Sequence, residues 1–104
     1  MFRFFKGNSI NTSQLQQKLA SKPEVIDVRE TAEFASGHIK GAKNIPLGKI
    51  AGYTTKKDQP VYVICQSGMR SRRAVKILKN KGIDAINVKG GMSAWHGEVR
   101  GGKL

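Results

Sequence analysis

Cys65 is the only cysteine among 104 residues, and the residues after it suit a nucleophile. In the run Cys65-Gln66-Ser67-Gly68-Met69-Arg70-Ser71, the apolar stretch Val61-Tyr62-Val63-Ile64 delivers the chain to Cys65, and helical periodicity begins just beyond. The few residues between strand and helix must turn tightly, and Gly68 permits backbone angles that a side chain obstructs. Such a turn points several N–H groups inward and makes an anion-binding nest at the start of a helix. A thiol held there loses its proton more readily, because the helix end and the Arg70 charge both favour thiolate. Thiolate is the attacking form. The run therefore reads as a catalytic Cys65, with Gln66, Ser67, Gly68, Met69 and Arg70 lining the seat of a substrate anion. A lone cysteine at a strand end is otherwise a small buried hydrophobe. The Ser-Gly turn and the arginine five positions on set this one apart.

The rest of the chain must build the strand and helix that hold this loop. Helical spacing runs from Ser71 to about Lys81, with Ala74, Ile77 and Leu78 on one face and Gly82 as its stop. Val25 to Val28 and Ala85 to Val88 read as further buried strands, Ala42 to Ile45 as a shorter one, and Ser9-Ile10 as a brief edge strand. Asn11 with Gln14 three residues on forms a capping box for a helix carrying Leu15 and Leu19. Shorter helical turns are expected at Thr31 to Ala35, Leu47 to Gly52 and Met92 to Trp95. This alternation predicts an α/β domain: a mostly parallel central sheet of about five short strands, with helices on both faces. Ligands in such sheets bind beyond the carboxyl ends of the strands, where Cys65 falls. Asp27 and Arg29 share that edge within reach of the site, and read as a structural ion pair or cap bracing the neighbouring loops.

Composition narrows the classes. The chain is long enough for one domain, expected to span 1–104 with a core of about 9–95, and too short for two. At 38% hydrophobic and 25% charged it is ordinary for a globular protein. The charge balance is not ordinary: 19 basic against 7 acidic side chains, net +12. Basic residues run from Arg3 to Lys103 with one tight cluster at Arg70, Arg72 and Arg73, and aromatics are only 7%. That pattern reads as a solvated basic surface, not a nucleic-acid stripe. No apolar run approaches the roughly 18 residues of a membrane helix. Met1-Phe2-Arg3-Phe4-Phe5-Lys6 is too short and too interrupted for a secretory signal. One cysteine allows no internal disulfide, so a reduced, cytoplasmic setting is expected. One cysteine and two histidines without paired spacing make no metal site.

Four separated segments resemble the rhodanese domain family. Val25-Ile26-Asp27-Val28-Arg29-Glu30 is similar to its Asp-x-Arg segment, and Gly37-His38-Ile39-Lys40-Gly41-Ala42-Lys43-Asn44-Ile45-Pro46 to its Gly-His-Ile segment. Cys65 to Arg70 resembles the six-residue active-site loop, and Asn87-Val88-Lys89-Gly90-Gly91 through Trp95 the Gly-Gly segment with its tryptophan. The resemblance implies a thiosulfate sulfurtransferase that works through a Cys65 persulfide and needs no metal or organic cofactor. Its implied partners are a small anionic sulfur donor and a thiol or protein acceptor, with no nucleic acid and no membrane. It also implies a structural role for His38 and a core position for Trp95, while His96 reads as exposed. Two other functions compete. Phosphatases and arsenate reductases of similar fold carry Cys-x5-Arg, one residue longer than the Cys-x4-Arg of Cys65 to Arg70. Non-catalytic rhodanese-like interaction or sulfur-carrier modules form the third class, and those that have lost the cysteine differ here.

Overall fold

Val61-Tyr62-Val63-Ile64 is apolar at every position because both of its faces are covered. The computed structural model of the protein describes residues 9–56 and 58–101. Its strands are β1 (Ser9–Ile10), β2 (Glu24–Asp27), β3 (Lys43–Asn44), β4 (Val61–Ile64) and β5 (Ala85–Val88). They form one sheet in the order β1-β5-β4-β2-β3, parallel at every pairing between them. The helices are α1 (Thr12–Lys18), α2 (Thr31–Ser36) and α3 (Met69–Asn80), with 3₁₀ turns at Leu19–Ser21, Leu47–Gly52 and Gly91–Ala94.

Side chains alternate across a strand, and β4 shows the consequence. Val61, Val63 and Cys65 enter the layer formed with Ile50 and with Ala74, Val75 and Leu78 of α3. Tyr62 and Ile64 enter the opposite layer, with Leu15 of α1, Ile39, Val88 and Trp95. Strand parity thus points Cys65 toward α3. Each fully buried aliphatic or aromatic side chain contributes about 1.5–3 kcal/mol, so the two layers fix β4 from both sides.

The expected elements occur, with shifted edges. The capping box is present: Asn11 Oδ1 accepts the Gln14 N–H and Gln14 Oε1 accepts the Asn11 N–H, each at 2.8 Å. The extended stretch expected at Ala42 to Ile45 shortens to β3, although the Ile45 N–H still reaches the Asp27 carbonyl at 3.0 Å. The larger correction is at α3, which starts at Met69 instead of Ser71. Gly68 takes φ 110°, open to glycine, and its carbonyl accepts the Arg72 N–H at 3.1 Å. Met69 and Arg70 therefore belong to the first helical turn, not to the loop. The segment Met1 to Lys6 and the last three residues of the glycine-rich tail lie outside the described residues.

Beyond the carboxyl end of β2 the chain buries a charge pair. Arg29 donates from Nε to Asp27 Oδ1 at 3.0 Å and from Nη2 to Oδ2 at 2.8 Å, with Asp27 fully buried and Arg29 only 3% exposed. The Arg29 guanidinium also donates to the Gly37 carbonyl at 2.7 Å and to Gln66 Oε1 at 3.2 Å. This is the bracing role expected of the two residues. Removing one partner leaves the other charge buried and alone, which costs about 3–5 kcal/mol. Asp27→Ala should lower the unfolding free energy by that amount in urea titration. A variant as stable as wild type would show that the pair does not hold these loops together.

Candidate active site

β4 ends and α3 begins with only Cys65, Gln66, Ser67 and Gly68 between them. Cys65 is 1% exposed as a residue. The Gly68 N–H donates to its Sγ at 3.0 Å, and Ser71 Oγ lies 3.3 Å from Sγ. Burial pushes the thiol pKa up. Hydrogen bonds from the Ser71 hydroxyl and from the Ser71, Gly68 and Ser67 amides pull it further down, so the net displacement is below the ordinary thiol value. The amide nest expected from sequence is present, and it is backbone that faces the sulfur.

Two of the side chains expected to line the seat, Arg70 and Gln66, are engaged elsewhere. Arg70 makes a bidentate ion pair with Glu33 of α2, at 2.7 Å to Oε1 and 3.0 Å to Oε2. Arg70 and the Cys65 thiolate still attract each other, which raises the arginine pKa as the sequence reading implies, but the groups that hydrogen-bond the sulfur are Ser71, Gly68 and Ser67. Glu33 takes up the guanidinium in its place and also accepts the Glu30 N–H at 3.0 Å. Its pKa is held at about 2, chiefly by the Arg70 hydrogen bonds, against the opposing effect of burial. Because that pKa is depressed, the pair's contribution to stability is complete above the unfolded value near 4.5 and is lost as pH falls toward about 2. Gln66 turns its amide sideways, accepting from Arg29 and donating to Ser93 Oγ at 3.2 Å. Met69 is 71% exposed.

The loop is braced from below as well. Met92 N–H donates to the Cys65 carbonyl at 2.8 Å and Ser93 N–H to the Gln66 carbonyl at 2.9 Å. Gly91 makes this approach possible. A Cβ there would meet the Cys65 carbonyl oxygen at 2.3 Å and Gln66 backbone atoms at 2.7 Å, and its φ is +58°. His38 stays out of the site. Its Nδ1 donates to the Phe34 carbonyl at 2.7 Å, its ring stacks on Phe34, and its backbone pairs with Arg100. Trp95 lies in the core and His96 is exposed, both as expected. Among the described residues no group of His, Cys, Asp and Glu converges as a set of metal ligands.

Three participants are not evident from sequence. Ser71 closes the quoted loop but reads there as the start of a helix, and Glu33 lies 37 positions from its partner. Asn87 reads only as one residue of the Gly-Gly segment. In the structure it is buried at 5% exposure and accepts the Ser71 hydroxyl at 2.5 Å. A polar side chain inside an apolar strand is its available signal.

Residues 11–98 match the family model of the rhodanese-like domain. The chain belongs to the rhodanese-like domain family. It is similar to a sulfurtransferase of Allochromatium vinosum, with 36% identity over 85% of this chain and 87% of that protein. It is also similar to the thiosulfate sulfurtransferase GlpE of Shewanella oneidensis, with 34% identity over 88% of this chain and 93% of that protein. The solved rhodanese-like domain protein of Staphylococcus aureus superposes with a TM-score of 0.83 at 38% identity, covering 90% of this chain and 97% of that one. The sulfur-facing amides of this rhodanese-like domain thus sit on the scaffold that the sequence resemblance implied.

Ser71 Oγ is the one side-chain group within hydrogen-bond distance of the sulfur among the described residues. It accepts from the thiol and can donate to the thiolate, where a hydrogen bond to a charged group contributes roughly 1.5–3 kcal/mol. Ser71→Ala should therefore raise the Cys65 pKa and move the midpoint of thiolate formation to higher pH. Iodoacetamide alkylation rates against pH measure it. An unmoved midpoint would remove Ser71 from the account of the thiolate.

Proposed function

We propose that this rhodanese-like protein, acting as one domain over residues 1–104 with its core at about 9–95, moves a sulfane sulfur from thiosulfate to a thiophilic acceptor through a persulfide on Cys65. The observation that carries the reading is the buried Cys65 sulfur, its pKa lowered by main-chain amides and the Ser71 hydroxyl. In the first step the thiolate attacks the outer sulfur of thiosulfate. The S–S bond of the donor breaks, its electron pair leaves on sulfite, and Cys65 carries a persulfide anion. In the second step a nucleophilic acceptor attacks that outer sulfur and the pair returns to Sγ. Both steps balance without an external oxidant, so the chemistry calls on no cofactor.

Amides that stabilise one sulfur anion suit both states, because the negative charge moves only one bond length outward. The Ser67 and Gly68 amides and the loop lining from Gln66 to Arg70 would receive the donor. The tightness of the turn supports sulfur over phosphorus or arsenic chemistry. With Met69 and Arg70 already in α3, little backbone remains to surround a full tetrahedral oxyanion. Among the described residues no helix is long and apolar enough to cross a membrane. A thiol that must stay reduced fits the cytoplasm.

Intact-mass spectrometry after incubation with thiosulfate should show one added sulfur on the wild type and none on Cys65→Ser, with thiocyanate formation abolished in the variant. Thiosulfate turnover by Cys65→Ser at the wild-type rate would falsify the mechanism. Arg70 supplies a further test. Glu33→Gln keeps an oxygen for the Glu30 N–H but releases the guanidinium from its ion pair. The KM for thiosulfate should then fall severalfold, about 1 kcal/mol of binding, with kcat nearly unchanged. A KM that stays put would mean that Arg70 never meets the donor.

A further inference from the structure

The solvent face of α3 is charged in one sign only. Arg72, Arg73, Lys76 and Lys79 are all exposed there, while Ala74, Val75 and Leu78 turn inward. The helix contains no acidic residue. The ion pairs among the described residues engage Arg29, Lys43, Arg70 and Arg100, and none of these four cations. Like charges at i and i+4, such as Arg72 and Lys76, destabilise a helix, so the row is a cost to the isolated protein. At the site end of the row stands Met69, the more exposed of the two large apolar side chains that face solvent among the described residues. It directly follows Gly68, whose amide donates to the Cys65 sulfur.

Resting on the sulfurtransferase reading, we propose that this face of α3 is the docking surface for an acidic protein that takes the sulfur from Cys65 through a cysteine of its own. Length decides against a small anion as the ligand of the row. Arg72 and Lys79 lie seven positions apart, roughly 10 Å along the helix, well beyond the reach of one thiosulfate. Local neutralisation points the same way. Glu33 cancels the Arg70 charge at the mouth, so the uncompensated cations lie along the approach and not in the cup. An acidic protein meets this arrangement with an apolar contact at Met69 and carboxylates along the helix, which steers its encounter. Nucleic acid fits less well, since α3 offers no aromatic side chain for stacking and an unmodified nucleic acid carries no thiol to take the sulfur. In the transfer, the acceptor's cysteine thiolate attacks the outer sulfur of the Cys65 persulfide. The bond to Sγ breaks with its electron pair on Sγ, and the acceptor departs as the persulfide.

The test uses the full chain and two synthetic peptides, each with one cysteine, one followed by four glutamates and the other by four glutamines. Affinity is read by fluorescence anisotropy and sulfur transfer by mass, at low and at physiological salt. The glutamate peptide should bind about tenfold tighter at low salt and take sulfur correspondingly faster, with the advantage shrinking as salt screens it. In the R72E/R73E/K76E variant, and to a lesser degree in R72Q/R73Q/K76Q, that advantage should vanish. Turnover of thiosulfate with cyanide should stay within about twofold of wild type, which also reports that the variants fold. Equal binding of the two peptides, or an undiminished preference in both variants, overturns the docking surface. Displacement of the bound glutamate peptide by thiol-free duplex DNA at physiological salt overturns it too, in favour of a nucleic-acid face. Selective binding with no sulfur moved by the wild type overturns the transferase reading instead and leaves the surface standing.

Discussion

The buried pair of Asp27 and Arg29 ties three separate stretches of chain to one point beneath the site. Arg29 reaches the carboxylate of β2, the carbonyl of Gly37 after α2, and the side chain of Gln66 in the cysteine loop. Asn44, on β3, adds its amide to the carbonyls of Asp27 and Arg29 at 3.0 and 2.9 Å. Among the described residues no buried side-chain nitrogen or oxygen is left without a partner, the condition on which a buried charge is tolerated. The rigidity matters for chemistry because backbone donors act on the sulfur without reorganising, and they can do so only if the loop is held still.

Around the sulfur two effects of opposite sign compete. Burial disfavours the thiolate, yet burial is also what makes each amide donor count, since hydrogen bonds strengthen away from water. Ser71 sits at the centre of this competition with one proton and three neighbours able to receive it: the Cys65 sulfur, the Gly68 carbonyl and Asn87 Oδ1. When sulfur carries its proton, it can donate to Ser71 while Ser71 donates to Asn87. When sulfur is ionised, the same hydroxyl has a charged acceptor beside it. A single buried hydroxyl can thus serve both protonation states.

Local patterns carry the parts of this structure that are legible in sequence. The apolar run of β4, the Asn11–Gln14 box and the Ser-Gly turn each declare themselves within a few residues, because strand burial, helix capping and tight turns are short-range requirements. The Cys65 loop is readable for that reason, and its segments in order are enough for the family. The hidden parts depend on chain separation. Nothing near Arg70 in sequence announces Glu33, and nothing near Ser71 announces Asn87, because each pair joins elements that only the folded sheet brings together. The start of α3 is obscured for a subtler reason. Gly68 both turns the loop and caps the helix, so one residue ends one element and opens the next.

Reading charge from composition has the same limit. A net +12 suggests that every cation near Cys65 draws anions toward it, but the nearest one in sequence is the one already neutralised. With Arg70 paired to Glu33 at the mouth, the hydrogen bonds to the sulfur come from main-chain amides and Ser71. The free cations stand further out, along a helix whose first turn also closes the sulfur's cup. The Ser71 hydroxyl that holds the sulfur and the cations that face solvent therefore belong to different residues of the same helix. Within α3, Ser71 answers to the sulfur, Ala74, Val75 and Leu78 to the core and the outward-facing residues to solvent, and a change in one set need not disturb another.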